Sequence, residues 1–314
     1  AGRDEKSSEI ATVVPSLPPH RTGRSGMRAA ARRLSTAAAL DLQAYHRDGF
    51  SVPSWRLPPE RLRAAQAALD TLLEANPQVQ PEQLVSAHLA STSRKSGAVR
   101  GQAAFLELAS MPEIAELAAA CLGTEHVLLW ACQIFCKPAG TGKSVPWHQD
   151  GQYWPIEPLR AVTAWIALDR SDEECGALQL VPGTHAAEPV LVPHVQRIDP
   201  GAAIAYVADP ALLDEARLAS ATTLTLEPGQ LSLHDAMVLH GSGANTSARR
   251  RAGVAATFMP AECHFYRDRP TEGALKGGLQ LDFSTRPLFV VKGSNQHPDN
   301  QLVHDLVAAR LPKP

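Results

Sequence analysis

The hydrophobic pattern of the chain changes near residue 126, and this change constrains the fold more than any other feature. Before that point apolar residues recur at helical spacing, whereas after it short apolar segments alternate with Gly, Pro and charged residues. Six segments have the length of strands: HVLLWACQIFCK (126–137), VTAWIALD (162–169), GALQLVPG (176–183), TTLTLEPG (222–229), LSLHD (231–235) and RAGVAATFMP (251–260). Many short strands without alternating helices are typical of sandwiches and barrels, so we predict a mainly β fold with flanking helices.

Helical signals dominate the chain up to about residue 123. PPERLRAAQAALDTLLEAN (58–76) opens with prolines and repeats apolar residues at helical spacing, and MPEIAELAAACLG (111–123) ends at a glycine, as helices commonly do. Residues 27–40 predict a first helix, with an Arg-rich transit peptide as the alternative. Residues 1–26 have no hydrophobic period, so we expect a disordered extension, with Met27 as a possible native start.

Composition excludes several classes of protein. The 314 residues are 44% hydrophobic and 20% charged, which is enough for one sizeable core. Thirty basic residues against thirty-two acidic ones give a net charge of -2, which argues against nucleic acid as a partner. No apolar run approaches the ~18 residues that cross a bilayer. We therefore predict a soluble, cytoplasmic protein with a small-molecule substrate and no membrane partner, and we leave its oligomeric state open.

Five cysteines are scattered along the chain without a CxxC pair. Their odd number and spacing argue against a disulfide framework and against structural zinc. Cys132 and Cys136 lie four residues apart in a predicted strand, where alternation places both on one face. We predict that they act as small buried hydrophobic residues.

The segment VPWHQDGQYW contains the strongest candidate for a metal site. His148 and Asp150 are two residues apart, so on an extended backbone both side chains point to the same face. Ninety residues after Asp150, His240 supplies a second imidazole. Two histidines and one carboxylate form the facial triad of non-haem iron oxygenases, which leaves positions open for a co-substrate and O2. The alternative is that these are ordinary surface or core histidines, because HxD often arises by chance.

Arg251 is the candidate for binding an anion beside this metal. It comes eleven residues after His240, at the start of a predicted strand whose next residues on the same face are Gly253 and Ala255. Small neighbours leave room for a long guanidinium, whose planar fork suits a carboxylate. We predict that Arg249 and Arg250 form a solvated basic turn instead.

Other polar residues near these motifs have weaker signals. His234 is an alternative to His240 as the second imidazole, but it lacks the HGSxxN context and is predicted to be a neighbour of the site. His185 in VPGTH is predicted to be a structural turn residue. Gln133 and Lys137 share one face of a strand that leads toward the metal motif. Either residue is predicted to contact the co-substrate or the substrate; the alternative is that both have only structural hydrogen bonds inside the barrel.

Tyr153 and Trp154 directly follow the metal motif. Consecutive side chains of an extended segment point opposite ways, so we expect one to line the substrate pocket and the other to pack behind it. Counting from Asp150 favours Trp154 as the inward residue, although Gly151 can bend the chain. Plain packing of both is the alternative.

Four segments together resemble the phytanoyl-CoA dioxygenase family of iron(II)/2-oxoglutarate oxygenases, in matching order over about residues 40–260. They are HQDGQYWPIEP, VTAWIALD, CGALQLVPGTH and GQLSLHDAMVLHGSGANTSARRRAG. The resemblance implies a double-stranded β-helix, a cupin-like jelly roll, in one oxygenase domain. The domain would span 27–314, with a helical layer to about 123, a core over about 126–260 and a C-terminal segment over 261–314.

The resemblance also implies roles for individual residues. His148, Asp150 and His240 match the iron ligands, and Arg251 matches the arginine that binds the distal carboxylate of 2-oxoglutarate. Ser242 and Trp165 match positions that line the same co-substrate. The implied cofactors are therefore Fe(II), 2-oxoglutarate and O2.

The implied reaction is hydroxylation of an unactivated C–H bond in a small organic substrate, with release of succinate and CO2. Related halogenases have a small residue at the position of Asp150, so the carboxylate here argues for oxygenation. Desaturation, cyclisation or epimerisation in secondary metabolism would use the same cofactors. A non-oxidative cupin-like metal protein and an inactive binding module are alternatives from other classes, and the substrate itself stays open.

Overall fold

The computed structural model describes residues 40–89, 99–152, 154–188, 191–268, 283–284 and 286–303. Within these ranges the helices are α1 Leu42–Asp48, α2 Pro59–Ala75, α3 Ala103–Ala109, α4 Pro112–Leu122 and α5 Glu215–Leu218. The strands are β1 Phe50–Ser51, β2 Leu84–Val85, β3 Val127–Lys137, β4 Val145–His148, β5 Ile156–Glu157, β6 Val162–Ala167, β7 Leu178–Leu180, β8 His194–Gln196, β9 Tyr206–Ala208, β10 Thr222–Thr223, β11 Leu231–Asp235, β12 His240–Ser242, β13 Arg251–Pro260, β14 His264–Phe265 and β15 Phe289–Lys292.

The predicted extension 1–26 and residues 27–39 of the predicted first helix lie outside the described residues. The division of the chain at these points stays a prediction. Among the helices that are described, none combines the length and the apolar character needed to cross a membrane.

Two antiparallel sheets form the core of the described chain. The larger has the order β1-β11-β6-β13-β3-β15, with β2 also paired to β3, and the smaller has the order β10-β7-β12-β4. From β3 to β13 the chain passes back and forth between the two sheets: β3, β6, β11 and β13 lie in the larger sheet, and β4, β7, β10 and β12 lie in the smaller one. This is the arrangement of a double-stranded β-helix, and the predicted jelly roll is confirmed.

The two faces of the larger sheet have different roles. On β13, Ala252, Val254, Ala256 and Phe258 belong to the apolar cluster that the sheet shares with the helices. The helical side of this cluster includes Leu69, Leu72, Ile114 and Leu117. Because side chains alternate along a strand, Arg251, Gly253, Ala255 and Thr257 face the space between the sheets. Strands β11 and β13 have the bounds that the sequence predicts.

The helical layer contains two short strands that the sequence does not reveal. Strand β1 pairs with β11, and β2 pairs with β3, so both extend the larger sheet. Each is two residues long, which is too short to show a period. The helices themselves follow the prediction: α2 begins at Pro59, and α4 is capped at its carboxyl end by Gly123, whose φ of 62° is left-handed.

A β-bulge changes the direction of one aromatic side chain. Thr257 lies opposite Ala131 while Phe258 lies opposite Leu129, so Trp130 is the extra residue on β3. Trp130 therefore joins a second apolar cluster with aromatic neighbours. Its ring centroid is 4.9 Å from that of Trp154, 5.6 Å from that of Phe265 and 6.2 Å from that of Phe283.

The cysteines are all free and buried. Cys132 and Cys136 lie opposite Ala256 and Ala252, on the helix-facing side of β3. Burial raises the pKa of both thiols to about 12. Their prediction as small buried hydrophobic residues is confirmed.

Two helix-ending glycines offer a matched test of packing. Gly49 has a φ of 85°, and a Cβ there would lie 2.2 Å from Val238 Cγ2 and 2.5 Å from His185 Nδ1, whereas a Cβ at Gly123 would meet nothing within 4 Å. Gly123→Ala should lower the free energy of unfolding by about 1–2 kcal/mol, from backbone strain alone. Gly49→Ala should lower the free energy of unfolding by the same backbone strain and by a further ~1–3 kcal/mol, because its methyl group has no room. Urea unfolding measures both, and equal losses would contradict the packing argument.

Candidate active site

Three side chains converge between the sheets as a candidate metal group. His148, Asp150 and His240 each offer a ligand atom, and these atoms lie within 4.8 Å of one another. His148 ends β4 directly opposite His240, the first residue of β12. Asp150 begins a 3-10 turn, so the prediction that it shares an extended strand with His148 is wrong. The turn nevertheless brings its carboxylate to the same group.

Backbone hydrogen bonds fix the tautomers of both histidines. His148 Nδ1 donates to the carbonyl of Pro146 at 2.9 Å, and His240 Nδ1 donates to the carbonyl of Val238 at 2.9 Å. Because a carbonyl only accepts, each Nδ1 carries the hydrogen and each Nε2 offers a lone pair. This arrangement is typical of metal-binding histidines.

Charges in the group favour the protonation states that a cation needs. Burial, followed by the charge of His148, lowers the pKa of His240 to about 3, so its ring is neutral near pH 7. Burial opposes ionisation of Asp150, but the nearby histidines outweigh it and bring the pKa of that carboxyl to about 2. Two histidines and one ionised carboxylate suit a divalent transition metal such as iron(II).

Gln149 lies between His148 and Asp150 in the chain, and its hydrogen bonds stabilise the segment that carries them. This role of Gln149 was not predicted from the sequence. Its side-chain Nε2 donates to the carbonyl of Met237 at 2.6 Å, and its Oε1 accepts from the Val192 N–H at 2.8 Å. Its own N–H donates to His194 Nε2 at 3.0 Å. Gln149 thus ties the segment of His148 to the loop that leads into β12.

Arg251 and Trp165 pack against each other on the inner face. Arg251 is 3% exposed, and its guanidinium carbon lies 5.3 Å from the centre of the Trp165 ring. One guanidinium nitrogen donates to the carbonyl of Gly176, while Nε has no hydrogen-bond partner. A Cβ at Gly253 would lie 2.2 Å from the Trp165 ring. The predicted room beside Arg251 is therefore filled by the indole, which corrects that prediction.

Lys137 joins this pocket, directly opposite Arg251 on the neighbouring strand. It is 1% exposed, and its Nζ donates to Ser242 Oγ at 2.7 Å and to the carbonyl of Gly243. Burial and the charge of Arg251 lower the pKa of Lys137 to about 6. Within the described ranges, neither cation forms an ion pair with a carboxylate. Lys137 thus lies beside Arg251 and Ser242, two of the residues predicted to bind the co-substrate.

Gln133 lies on the predicted strand face, and His185 lies in a turn, as predicted. Gln133 lies opposite Ala255, on the same face of β3 as Lys137. His185 lies in the 3-10 turn Thr184–Ala186, and its Nε2 donates to the carbonyl of His46 at 3.1 Å.

Arg249 lies in an exposed bend, as predicted, and Arg250 is partly exposed, but both also pair with carboxylates. Arg249 pairs with Asp172 at 2.9 Å. Arg250 pairs with Asp169 at 2.9 Å and with Asp70 of α2 at 2.8 Å. These carboxylates are 77 to 180 residues away in the chain, so local sequence could not reveal them.

The predicted substrate residues are only partly described. Tyr153 lies outside the described residues. Trp154 is half-buried and packs edge-on against Trp130, with an interplanar angle of 75°. Because the preceding turn is not extended, counting side chains from Asp150 gives no direction for Trp154.

His264, His297 and Asp299 form a second group of potential ligands outside this site. The two imidazoles stack with ring centroids 4.5 Å apart and an interplanar angle of 3°. A metal lies near the plane of each imidazole that binds it, and two stacked parallel planes share no such point. The observed arrangement is therefore a ring stack rather than a metal site.

Comparison with known proteins gives a family match over about two thirds of the chain, including the candidate metal ligands. The family model for phytanoyl-CoA dioxygenase matches residues 45–253. Peroxisomal phytanoyl-CoA dioxygenase from Bos taurus is 28% identical over 161 residues, which are 50% of this chain and 46% of that enzyme. Ectoine dioxygenase from Bordetella bronchiseptica is 27% identical over 235 residues, which are 72% of this chain and 76% of that enzyme. The chain thus spans about half the length of the first relative.

Solved structures share the fold. The non-haem monooxygenase ThoJ in its apo form has a TM-score of 0.60 at 21% identity, covering 85% of this chain and 92% of that one. The epimerase SnoN, in complex with Fe3+, alpha ketoglutarate and nogalamycin RO, has a TM-score of 0.56 at 23% identity, covering 86% of this chain and 97% of that one. Both support the jelly-roll assignment.

The contact between Gly253 and Trp165 leads to a prediction. Gly253→Ala should push the indole away from Arg251 and weaken binding of 2-oxoglutarate to the metal-loaded protein, with metal affinity unchanged. Gly243, which follows β12 in the smaller sheet, is the control: the methyl group of Gly243→Ala would meet nothing within 4 Å, so this variant should change little. Titration calorimetry with Zn(II)-loaded protein measures both, and equal affinities in the two variants would contradict the role given to Gly253.

Proposed function

The chain belongs to the phytanoyl-CoA dioxygenase family, and we propose that it hydroxylates an unactivated C–H bond of a small organic substrate with iron(II), 2-oxoglutarate and O2. One observation carries the proposal: two histidines with fixed Nε2 lone pairs and an ionised carboxylate converge within 4.8 Å. The predicted enzyme class, a 2-oxoglutarate-dependent non-haem iron dioxygenase, is supported by the names of the matched relatives, which are dioxygenases.

His148, Asp150 and His240 would hold the metal. When bound, iron(II) with 2-oxoglutarate and O2 supplies an oxidant for C–H bonds and releases succinate and CO2. The protein's own contribution is placement, because the bond that reacts is the one held nearest. The carboxylate of Asp150 contributes the anionic ligand, and the backbone bonds of the two histidines keep their rings aimed at the metal.

Arg251, Lys137 and Ser242 would bind the distal carboxylate of 2-oxoglutarate. Ser242 follows His240 by two residues on β12, about 7 Å along the strand, which matches the length of a five-carbon dicarboxylate. A buried guanidinium and a buried amine that form no ion pair in the described chain favour an anion in that place. A metal-bearing jelly roll with a non-oxidative role has no need of this pair.

The organic substrate would enter beside the aromatic cluster that contains Trp154 and Trp130. Trp154 follows the turn of Asp150 and is half-buried, so we place it in the wall of the substrate pocket.

Hydroxylation is preferred over desaturation, cyclisation or epimerisation because the relatives matched by sequence are named dioxygenases. The substrate is therefore sought among small organic molecules.

The function is tested by product formation and by comparing 2-oxoglutarate binding in two arginine variants. With one Fe(II) per chain, a substrate screen should give succinate together with a product that gains one oxygen atom. Arg251→Ala should weaken 2-oxoglutarate binding roughly ten- to a hundred-fold, because a charge-assisted fork contributes about 1.5–3 kcal/mol. Arg249→Ala, which removes only the exposed pair with Asp172, should leave binding unchanged. Loss in Arg249→Ala alone would contradict the assignment, as would succinate release without iron.

The environment of Lys137 predicts a proton linked to co-substrate binding. Its pKa of about 6 leaves the amine neutral at about pH 8, and a bound carboxylate should raise that pKa and draw a proton from solvent. Uptake should approach one proton at about pH 8, fall to about half a proton near pH 6 and vanish below about pH 5, where the amine is already charged. Calorimetry of Zn(II)-loaded protein in buffers of different ionisation enthalpy measures it. Lys137→Met should abolish the uptake, and identical uptake in that variant would contradict the role.

A further inference from the structure

His234 lies beside the proposed metal ligands and has no role in the mechanism so far. It is on β11, directly opposite Thr163 on β6 and Phe50 on β1. Its neighbours Leu231 and Leu233 belong to the cluster shared with the helices, so the side chain of His234 faces the inside of the barrel. The residue is 2% exposed, and its ring centroid is 5.0 Å from that of His240.

The carboxylate of Asp150 is surrounded by imidazoles on different sides. Its Oδ1 is 3.6 Å from His148 Nε2, and its Oδ2 is 3.9 Å from His240 Nε2 and 4.0 Å from His234 Nε2. If His148 and His240 give their Nε2 lone pairs to a metal, neither can donate a hydrogen to Asp150. His234 then supplies an N–H on the side of Oδ2.

The hydrogen-bonding state of His234 fits a donor better than a ligand. The two proposed ligands each anchor Nδ1 on a backbone carbonyl, whereas His234 Nδ1 is buried without a hydrogen-bond partner. A neutral ring with its hydrogen on Nε2 aims that hydrogen at Asp150 and leaves only a lone pair unpaired. His234 also lies outside the group of ligand atoms within 4.8 Å of one another.

We propose that His234 is a positioning residue whose Nε2–H closes on the carboxylate of Asp150 when a metal binds, from the 4.0 Å seen here, and then donates to it and holds it in the orientation that binds the metal. This inference rests on the proposed function, because it needs a metal at the site. Partners of metal-bound carboxylates and histidines typically change metal affinity 10- to 100-fold when they are replaced. A leucine would fill a similar volume without a donor, and a glutamine would keep an N–H at a similar reach.

The test uses Co(II), whose visible absorption reports ligand geometry without any turnover. His234→Leu should weaken Co(II) binding about 10- to 100-fold and alter its visible spectrum, whereas His234→Gln should stay close to the parent in both. Metal-free His234→Leu should unfold at the same urea concentration as the parent or a higher one, because a buried unpaired polar atom is removed. A structural role alone would lower the metal-free midpoint instead.

A second buried histidine provides the control. His88 is 3% exposed, and both ring nitrogens lack a hydrogen-bond partner, but it packs on Phe289 rather than on the metal group. His88→Leu should leave Co(II) affinity and spectrum unchanged. The inference is overturned if His234→Leu binds Co(II) like the parent, or if His234→Gln loses as much as His234→Leu. A parent protein that binds no Co(II) would instead overturn the proposed function.

Discussion

The pairing of β13 with β3 on one side and β6 on the other is the constraint on which the site depends. All ten residues of β13 are buried, so the strand uses both faces, one for packing on the helices and one for chemistry. A shift of one residue would turn Arg251 into the apolar layer and bring Ala252 inward. The same shift would place a Cβ where the Trp165 ring lies against Gly253. The register of β13 therefore determines both how the Trp165 indole packs and which way the Arg251 guanidinium points.

The interior separates its charges along the strands. Lys137 and Arg251 lie together at the level where β3 ends and β13 begins, while Asp150 lies beside the two histidines. Each cluster is costly by itself, because buried charges need partners. Under the proposed function a metal ion would satisfy one cluster and a dicarboxylate would satisfy the other.

The parts of the site that the sequence predicts are those with local patterns. LSLHD and RAGVAATFMP alternate over whole strands, so their bounds are predicted correctly, and alternation also puts Gln133 and Lys137 on one face. The convergence of His148 with His240 depends on strand pairing across more than ninety residues. It was predicted because the residue types of a metal site are few and their resemblance to a family is specific.

The parts that the sequence does not predict depend on single residues or distant contacts. The 3-10 turn at Asp150 is three residues long and the bulge at Trp130 adds a single residue, so neither leaves a period to detect. The brace formed by Gln149 consists of bonds to backbone groups 43 and 88 residues away. The environment of Lys137 is equally nonlocal, because Arg251 and Ser242 come from other strands.

The two faces of β3 also keep oxidisable sulfur away from an oxidising site. Gln133 and Lys137 face the interior, and Cys132 and Cys136 face the helices, so a single layer of backbone separates the thiols from the pocket. Oxidation of cysteine proceeds through the thiolate, and burial holds the pKa of both thiols near 12. An enzyme of the proposed class would thus be protected from inactivating itself through these side chains, by the simple alternation of a strand.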